Sequence, residues 1–501
     1  VLTAFHLAIE LAEPVTTDAF RAAFARDDAM FVLEGGGSTR SDLDRASYMG
    51  AAPSASLRAR RSRARDARGR VLTDVVTTDG GVRTESAAVD PFAALRDFLS
   101  AHAAEADAFD ERYPFPFRAG LVGYIGYECG QALERLPSVP RPSAGLPDMA
   151  LGLHRWIIAT SRATTKSWLS ILGVGATRAE ARADADAIRA RVEARLAARG
   201  PAPTAPEPRP SRTSIEPGLS ADAYKERVAI AKAHIAAGDA FEICLTNVHR
   251  TGVARERAWP LFEELLRSNP APFAAYLALP EGVVVSSSPE RFLSLDAHGV
   301  AESRPIKGTR PRGRTPDEDE RMARELAGSE KDRAENAMIV DLARNDLGRA
   351  CRFGSVTVPE LFVVEPYATV HQLVSTVRGE LARGMDGVDL LRACFPPGSM
   401  TGAPKIEAMT ILERLEPAER GVYSGALGWI DLGGAMDLSV VIRTVVFGEG
   451  GATFSVGGAV VADSDPQSEL DEARQKAFAL VRALEAVGRA GQRPPAIEAR
   501  P

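Results

Sequence analysis

Cysteine is scarce in this chain: Cys129, Cys244, Cys351 and Cys394 are the only four in 501 residues, far apart and with no C-x-x-C pair. That spacing argues against a disulfide framework and a cysteine zinc site, and it suits a reducing compartment. Long apolar runs are missing as well, since no stretch approaches the roughly 18 residues that a membrane helix needs. The opening VLTAFHLAIELAEPV lacks the basic start and long apolar core of a signal peptide, so a cytoplasmic location without membrane association is expected. Basic residues are in no excess: 61 stand against 67 acidic ones, a net charge of −6, which offers no global attraction for nucleic acid or anionic lipid. No nucleic-acid partner is expected, and an anionic substrate would have to be held by local groups. Repeats at solenoid spacing are absent too. What remains, 45% apolar and 26% charged, is the composition of a folded protein long enough for two or three domains.

The sharpest change in composition is GPAPTAPEPRPSRTSIEPG, Gly200 to Gly218, where repeated prolines deny helix hydrogen bonds and favour an extended connector. It divides the chain into an N-terminal domain over 1–205, a proline-rich linker over 206–218, a second domain over 219–488 and a tail over 489–501. Ile188, Val192 and Leu196 form a helical stripe closing the first half. Arg58, Arg60, Arg61, Arg63, Arg65, Arg68 and Arg70 form a basic run without interleaved aromatics, which reads as an exposed connecting loop. Strands are expected at Val71–Thr78, Trp156–Thr160 and Trp168–Leu172. After the linker, Ser220 caps a helix carrying Tyr224, Val228 and Ile235, and Gly238 stops it. The segments FEICLTNVHR, FAAYLAL and GVVVSSS read as strands, followed by RFLSLDAHGVAES with a turn at His298 and Gly299, and later strands are expected at Ala426–Ile430, Leu438–Val446 and Ala452–Val456. Hairpin-spaced strands mixed with long helices point to an α+β fold with largely antiparallel sheets.

Several constellations could carry chemistry. In DSDPQSELDEARQKAFALVRAL, Asp465 and Pro466 can start a helix that places Glu469, Glu472 and Lys476 on one face. Two carboxylates one turn apart can share a magnesium ion; taken alone, the same pattern fits a solvated helix face. EKDRAENAMIVDLARNDLG is a second acidic helix, in which Asp332, Glu335 or Asp341 could complete a metal site or form structural ion pairs. In PPGSMTGAPKIEAMTILERL, glycines precede a helix start, with Thr401 and Lys405 beside it, which suits an anion. The spacing is not that of a Walker loop, so nucleotide binding is not implied. Lys307, between Pro305 and Gly308, is held by a restricted backbone and could act as a nucleophile, with Glu290 available for charge balance or proton transfer. His371 could donate a proton or sit as a core histidine. Trp429 and Arg443 offer an aromatic wall and a carboxylate fork, and Gly457–Gly458 suggests close backbone approach.

Taken together and in order, PIKGTRPRG, DRAENAMIVDLARNDLG, YATVHQLVSTVRG, PPGSMTGAPKIEAMTIL and VGGAVVADSDPQSELDEARQKA resemble the chorismate-utilising enzymes over about Ser220 to Leu480. GLVGYIGYE, Gly120 to Glu128, is similar to the N-terminal domain of that family's component I subunits. The resemblance implies two large, mostly antiparallel sheets packed as a sandwich with flanking helices, and a chorismate-binding catalytic domain over 219–488. It implies magnesium held by Glu335, Glu469 and Glu472, with Asp332 at a position often occupied by glutamate. Gly308, Thr309, Thr401, Trp429, Arg443, Gly457, Gly458 and Lys476 would bind substrate, Arg443 through the enolpyruvyl carboxylate. His371 would lie near a departing hydroxyl, and Glu290 would handle protons.

PIKGT, where anthranilate synthase component I usually reads PIAGT, resembles the branch that aminates chorismate at C4. The implied route is attack of Lys307 on ring C2 as the C4 hydroxyl leaves, then attack of ammonia on C4 with release of the lysine, giving 4-amino-4-deoxychorismate for p-aminobenzoate and folate synthesis. Glu242 aligns with the water-activating lysine of isochorismate synthases, so water attack is disfavoured. VLEGG, with Gly35, replaces the LLES-like segment that binds tryptophan in feedback-inhibited relatives. No cysteine sits in a G-x-C-x-G motif, so ammonia is expected from a separate glutamine amidotransferase subunit, and formation of p-aminobenzoate is expected to need another enzyme. Anthranilate synthase chemistry, amination at C2 as in aminodeoxyisochorismate synthases, and a catalytically silent regulatory subunit are the alternatives.

Overall fold

The computed structural model describes residues 2–37, 40, 43, 46–103, 109–137, 139, 141–200 and 214–488. Its strands form two twelve-stranded sheets in which every pairing among the described residues is antiparallel. The first sheet runs from Thr3–Glu10 through Met30–Glu34, Phe273–Leu279, Gly282–Ser288, Thr444–Gly448 and Gly451–Val460 to Glu242–Thr251 and Ile215–Pro217. The second runs from Ile306–Pro311 through Val370–Glu380, Arg291–Leu295, Met436–Val440, Ala426–Asp431 and Gly120–Ile125 to Val82–Val89.

Side-chain alternation explains the layering. In Gly282–Ser288, Val283 and Val285 join the core beneath one helical layer, while Val284 points into the space between the sheets. In Ala426–Asp431, Leu427 and Trp429 enter that same space, and Ala426 and Ile430 face the other way. Phe31, Tyr48, Val122 and Tyr124 also meet there, so the sheets pack face to face. Helices Arg178–Ala197, Ala221–Ala237, Ala258–Ser268 and Pro466–Gly488 cover the first sheet through one core. Helices Pro91–Ala101, Glu330–Gly348 and Gly387–Cys394 cover the second. The sandwich with flanking helices expected from the sequence is the architecture found.

Both sheets run unbroken across the compositional boundary near residue 210. Met30–Glu34 pairs with Phe273–Leu279, and Gly120–Ile125 pairs with Ala426–Asp431. The linker expected over 206–218 lies outside the described residues as far as 213, and Ile215–Pro217 pairs with Glu242–Thr251 as a short strand. The tail over 489–501 also lies outside the described residues.

Two local expectations are corrected. Most of the arginine run is the strand Ala55–Arg65, not a loop, with Arg68 and Arg70 in the turn that follows; Arg58 bonds Glu281, Arg61 bonds Asp148 and Glu419, and Arg70 bonds Asp66. The partners of Arg58 and Arg61 come from distant segments, while Arg60, Arg63, Arg65 and Arg68 are exposed as expected. The single strand expected over Leu438–Val446 is two strands, Met436–Val440 in the second sheet and Thr444–Gly448 in the first. The chain changes sheets between them at Arg443, whose φ is +50°. Gly282–Ser288 and Arg291–Leu295 make the same change in the opposite direction, through Pro289 and Glu290. The crossings are tied together by hydrogen bonds from Val440 N to the Glu290 carbonyl and from Ser287 N to the Arg443 carbonyl.

No helix among the described residues is long and apolar enough to cross a membrane.

Candidate active site

The two crossings form one wall of a cavity of about 670 Å³. The other walls come from strand Ile306–Pro311, helices Glu330–Gly348 and Pro466–Gly488, and the Gly457–Gly458 backbone. Strand Ile306–Pro311 carries the nucleophile candidate on a bulge. Ile306 pairs with Val374 and Thr309 with Gln372, so three steps on one strand face two on its neighbour. Lys307 and Gly308 occupy the bulge, a device that re-aims side chains beside active sites. Gly308 has φ +92°, and a Cβ there would come within 2.9 Å of the Asp332 side chain, so glycine is needed on both counts.

The bulge sends Lys307 into the cavity floor, where its Nζ donates to Glu242 Oε1 at 2.6 Å. Glu242 has no solvent exposure, and its other oxygen, Oε2, is buried with no hydrogen-bond partner among the described residues. Burial pulls the Lys307 amine down, but the charges of Glu242 and Glu335 outweigh it and hold the amine above its ordinary range. Glu290 is buried at the crossing with its pKa pushed up to about 7 by desolvation, against a hydrogen bond from Ser399 and the charge of Lys307. The Arg443 guanidinium lines the same cavity, is lowered by burial, and makes no hydrogen bond or ion pair among the described residues. That is an open fork for a carboxylate.

The acidic helices face each other across the mouth. Glu335 is raised by burial despite Lys307 and Lys331, and lies 3.7 Å from Lys331. Glu469 is buried, also raised by desolvation, bonded through Oε1 to Ser464 and left bare at Oε2. Glu472 is lowered by the charge of Lys476, 2.7 Å away, and Lys476 also donates to the Gly457 carbonyl. Gly458 makes room for this set: a Cβ there would sit 2.6 Å from Glu469 Oε2 and 3.9 Å from Glu472 Oε1. Among the described residues, no three acidic, histidine or cysteine side chains converge closely enough to enclose a metal ion. The all-oxygen donors and the orphaned Glu469 oxygen nonetheless suit magnesium, which keeps waters and takes ligands from its substrate.

Of the sequence candidates, Lys307, Glu290, Gly308, Thr309, Arg443, Gly457, Gly458, Lys476, Glu335 and Glu472 line this cavity, and Glu469 stands directly behind Gly458. Asp332 lines it too but is bonded by Arg310 at 3.0 Å. Four candidates are placed elsewhere. His371 bonds Asp319 at 2.9 Å, because alternation along Val370–Glu380 turns Val370 and Gln372 to the cavity and His371 away. Trp429 stacks on Phe117 between the sheets, with ring centroids 5.0 Å apart. Thr401 is fully buried, its hydroxyl donating to the Gly398 carbonyl. Lys405 reaches Asp346 and the Cys394 and Pro396 carbonyls rather than an anion.

Sequence reasoning missed one cavity group and one group behind it. Gln372 presents a buried Oε1 with no hydrogen-bond partner among the described residues, one residue from His371. The contact of Glu242 with Lys307 spans 65 residues and leaves no local signal. A second cavity of about 460 Å³ lies between the sheets, lined by Leu33, Glu34, Gly35, Tyr48, Arg291 and Trp429, so the VLEGG segment borders it and not the Lys307 cavity.

The profile of the chorismate binding enzyme family matches residues 52–482. Aminodeoxychorismate synthase of Streptomyces griseus is 46% identical over 386 residues, 76% of this chain and 52% of that protein. Aminodeoxychorismate synthase component 1 of Salmonella typhimurium is 40% identical over 370 residues, 74% of this chain and 78% of that protein. The crystal structure of anthranilate synthase component I from Streptococcus pneumoniae superposes with a TM-score of 0.73 at 26% identity, covering 87% of this chain and 92% of that one. The chain spans about half the length of the aminodeoxychorismate synthases of Streptomyces griseus and Streptomyces pristinaespiralis.

Proposed function

The chain belongs to the family of chorismate binding enzymes, and on that premise we propose that it converts chorismate and ammonia to 4-amino-4-deoxychorismate. The observation that carries this reading is the Lys307 amine, aimed by a bulge into the floor of a cavity that also holds an open guanidinium and a carboxyl poised near neutrality.

Arg443 receives the enolpyruvyl carboxylate, and the low-polarity burial that weakens its own hydration strengthens that contact. The ring then lies over Lys307, whose Nζ attacks C2 while Glu290, protonated below about pH 7, gives its proton to the departing C4 hydroxyl. Ammonia attacks C4, the resulting carboxylate of Glu290 takes back a proton, and the C2–N bond to Lys307 breaks. Gln372 supplies a fixed acceptor on the cavity wall for the incoming ammonia. Magnesium would be held by Glu335, Glu469 and Glu472, and when bound it supplies positive charge for the ring carboxylate. The relatives named component 1 support a second component, and a separate glutamine amidotransferase subunit would supply ammonia; free ammonium should replace it in vitro.

Mass spectrometry of products from chorismate, magnesium and excess ammonium tests the reading. Formation of 4-amino-4-deoxychorismate without pyruvate, lost in Lys307→Ala, is expected. Anthranilate with pyruvate would overturn it in favour of anthranilate synthase chemistry.

A further inference from the structure

Glu242, buried behind the cavity lining against Lys307, is the least expected group at the site. It opens strand Glu242–Thr251, where alternation puts Cys244 in the cavity lining and Ile243 and Leu245 in the core beneath the helices. The backbone around it is pinned from one segment: Phe241 N donates to the Ala403 carbonyl and Cys244 N to the Thr401 carbonyl. Gly402 presses so close that a Cβ there would lie 2.1 Å from the Glu242 carbonyl oxygen. The carboxylate is therefore fixed in a dry place with one hydrogen bond among the described residues, to Lys307 at 2.6 Å. A buried ion pair gives little stability over apolar side chains of similar volume, so stability alone does not explain a glutamate there.

The proposed reaction supplies a reason, and the inference rests on that reading. Lys307 can attack only as a neutral amine, yet its surroundings favour the charged form. The groups that face it are Glu242 and Cys244 from strand Glu242–Thr251, Glu290 from the crossing, Glu335 from helix Glu330–Gly348, and Glu472 from helix Pro466–Gly488, with Lys476 nearby. Of these, Glu242 alone is hydrogen-bonded to Nζ among the described residues. Cys244 is held protonated by burial and is no acceptor.

We propose that Glu242 is the base that takes a proton from Lys307 as it attacks chorismate and returns it when the lysine leaves. In the first step an Nζ–H bond breaks and the proton passes to Glu242 Oε1. The nitrogen lone pair forms the bond to C2, the C1–C2 and C5–C6 double bonds move to C1–C6 and C4–C5, and the C4–O bond breaks. The departing oxygen takes a proton from Glu290 and leaves as water. In the second step ammonia attacks C4, the double bonds return, and the C2–N pair goes back to Lys307. The C4 ammonium loses its proton to Glu290, and Glu242 reprotonates the freed amine. Chorismate and ammonia go in, the amine and water come out, and both carboxyl groups end as they began.

The test compares Glu242→Gln, Glu242→Asp, Lys307→Ala and the double variant Lys307→Ala/Glu242→Gln, using ammonium-dependent turnover and rapid-quench mass spectrometry of the protein–chorismate adduct without ammonium. Glu242→Gln should slow adduct formation and kcat by about 10²- to 10⁴-fold, with KM for chorismate changed by less than about threefold. A merely structural role would not split the two that way. The double variant should be no slower than Lys307→Ala. Glu242→Asp keeps the charge pair and covers the case in which the glutamine variant does not fold; it should bind chorismate and form the adduct about tenfold more slowly than the wild type. Adduct formation at the wild-type rate in a folded Glu242→Gln or Glu242→Asp protein overturns the assignment of the base while leaving Lys307 in place. Unchanged turnover in Lys307→Ala instead removes the covalent reading on which the assignment depends.

Discussion

Replacing Lys307 with methionine keeps most of the aliphatic bulk and removes the charge that faces Glu242. The Glu242 carboxylate then loses the hydrogen bond from Lys307, at a position with no solvent exposure and with Oε2 unpartnered among the described residues. Breaking a buried pair from one side costs about 3–5 kcal/mol, most of it the penalty of an uncompensated charge. In the wild type the Lys307 amine is raised, so its contribution is complete below the ordinary lysine range and is lost only as pH climbs through the raised value. Urea unfolding followed by tryptophan fluorescence at pH 8 should therefore show that deficit in the variant. Lys307→Met/Glu242→Gln should recover all but about 1–2 kcal/mol. A single variant with the wild-type midpoint, or a double variant no more stable than the single one, would refute the buried-pair argument.

Other expectations follow from the same cavity. Glu290 is protonated below about pH 7, so kcat/KM for ammonium-dependent turnover should fall as pH rises through that value, and Glu290→Gln should be slow without that limb; a wild-type profile flat from pH 6 to 9 would contradict this. Arg443→Ala should raise KM for chorismate by about 10- to 100-fold, the worth of one charge-assisted hydrogen-bonded contact, with a smaller change in kcat; an unaltered KM would remove Arg443 from substrate binding. Gly458→Ala places a methyl group 2.6 Å from Glu469 Oε2, so the magnesium concentration for half-maximal activity should rise by about tenfold or more while thermal unfolding stays close to wild type. An unchanged magnesium requirement would separate Glu469 from the metal.

What the sequence disclosed depended on whether the signal was local. Ser220 accepts from Ala223 N and Gly238 takes φ +85°, so the helix between them, Ala221–Ala237, matches its expected ends. Both acidic helices also fall where their apolar spacing puts them. The strand Ala55–Arg65 was hidden because Arg58 and Arg61 find their partners in Glu281, Asp148 and Glu419, far along the chain. The sheet crossing at Arg443 was hidden because β-branched residues continue on both sides of it. In the candidate site, joint order and spacing picked out Lys307, Glu335, Glu472 and Arg443, which the fold gathers from separate elements. Parity along a strand was harder to read. One position separates His371, which turns to Asp319, from Gln372, which faces the cavity. Trp429 likewise turns to the space between the sheets. The Glu242–Lys307 contact needed the fold itself, because a bulge and a strand end create it from opposite sheets.

The central claim is that Lys307 becomes covalently attached to the ring. Purified protein mixed with chorismate and magnesium without ammonium, quenched in acid and digested, should yield the Lys307 peptide carrying chorismate less one water, and added ammonium should discharge it. Turnover to 4-amino-4-deoxychorismate with the Lys307 peptide unmodified at every quench time would contradict the account.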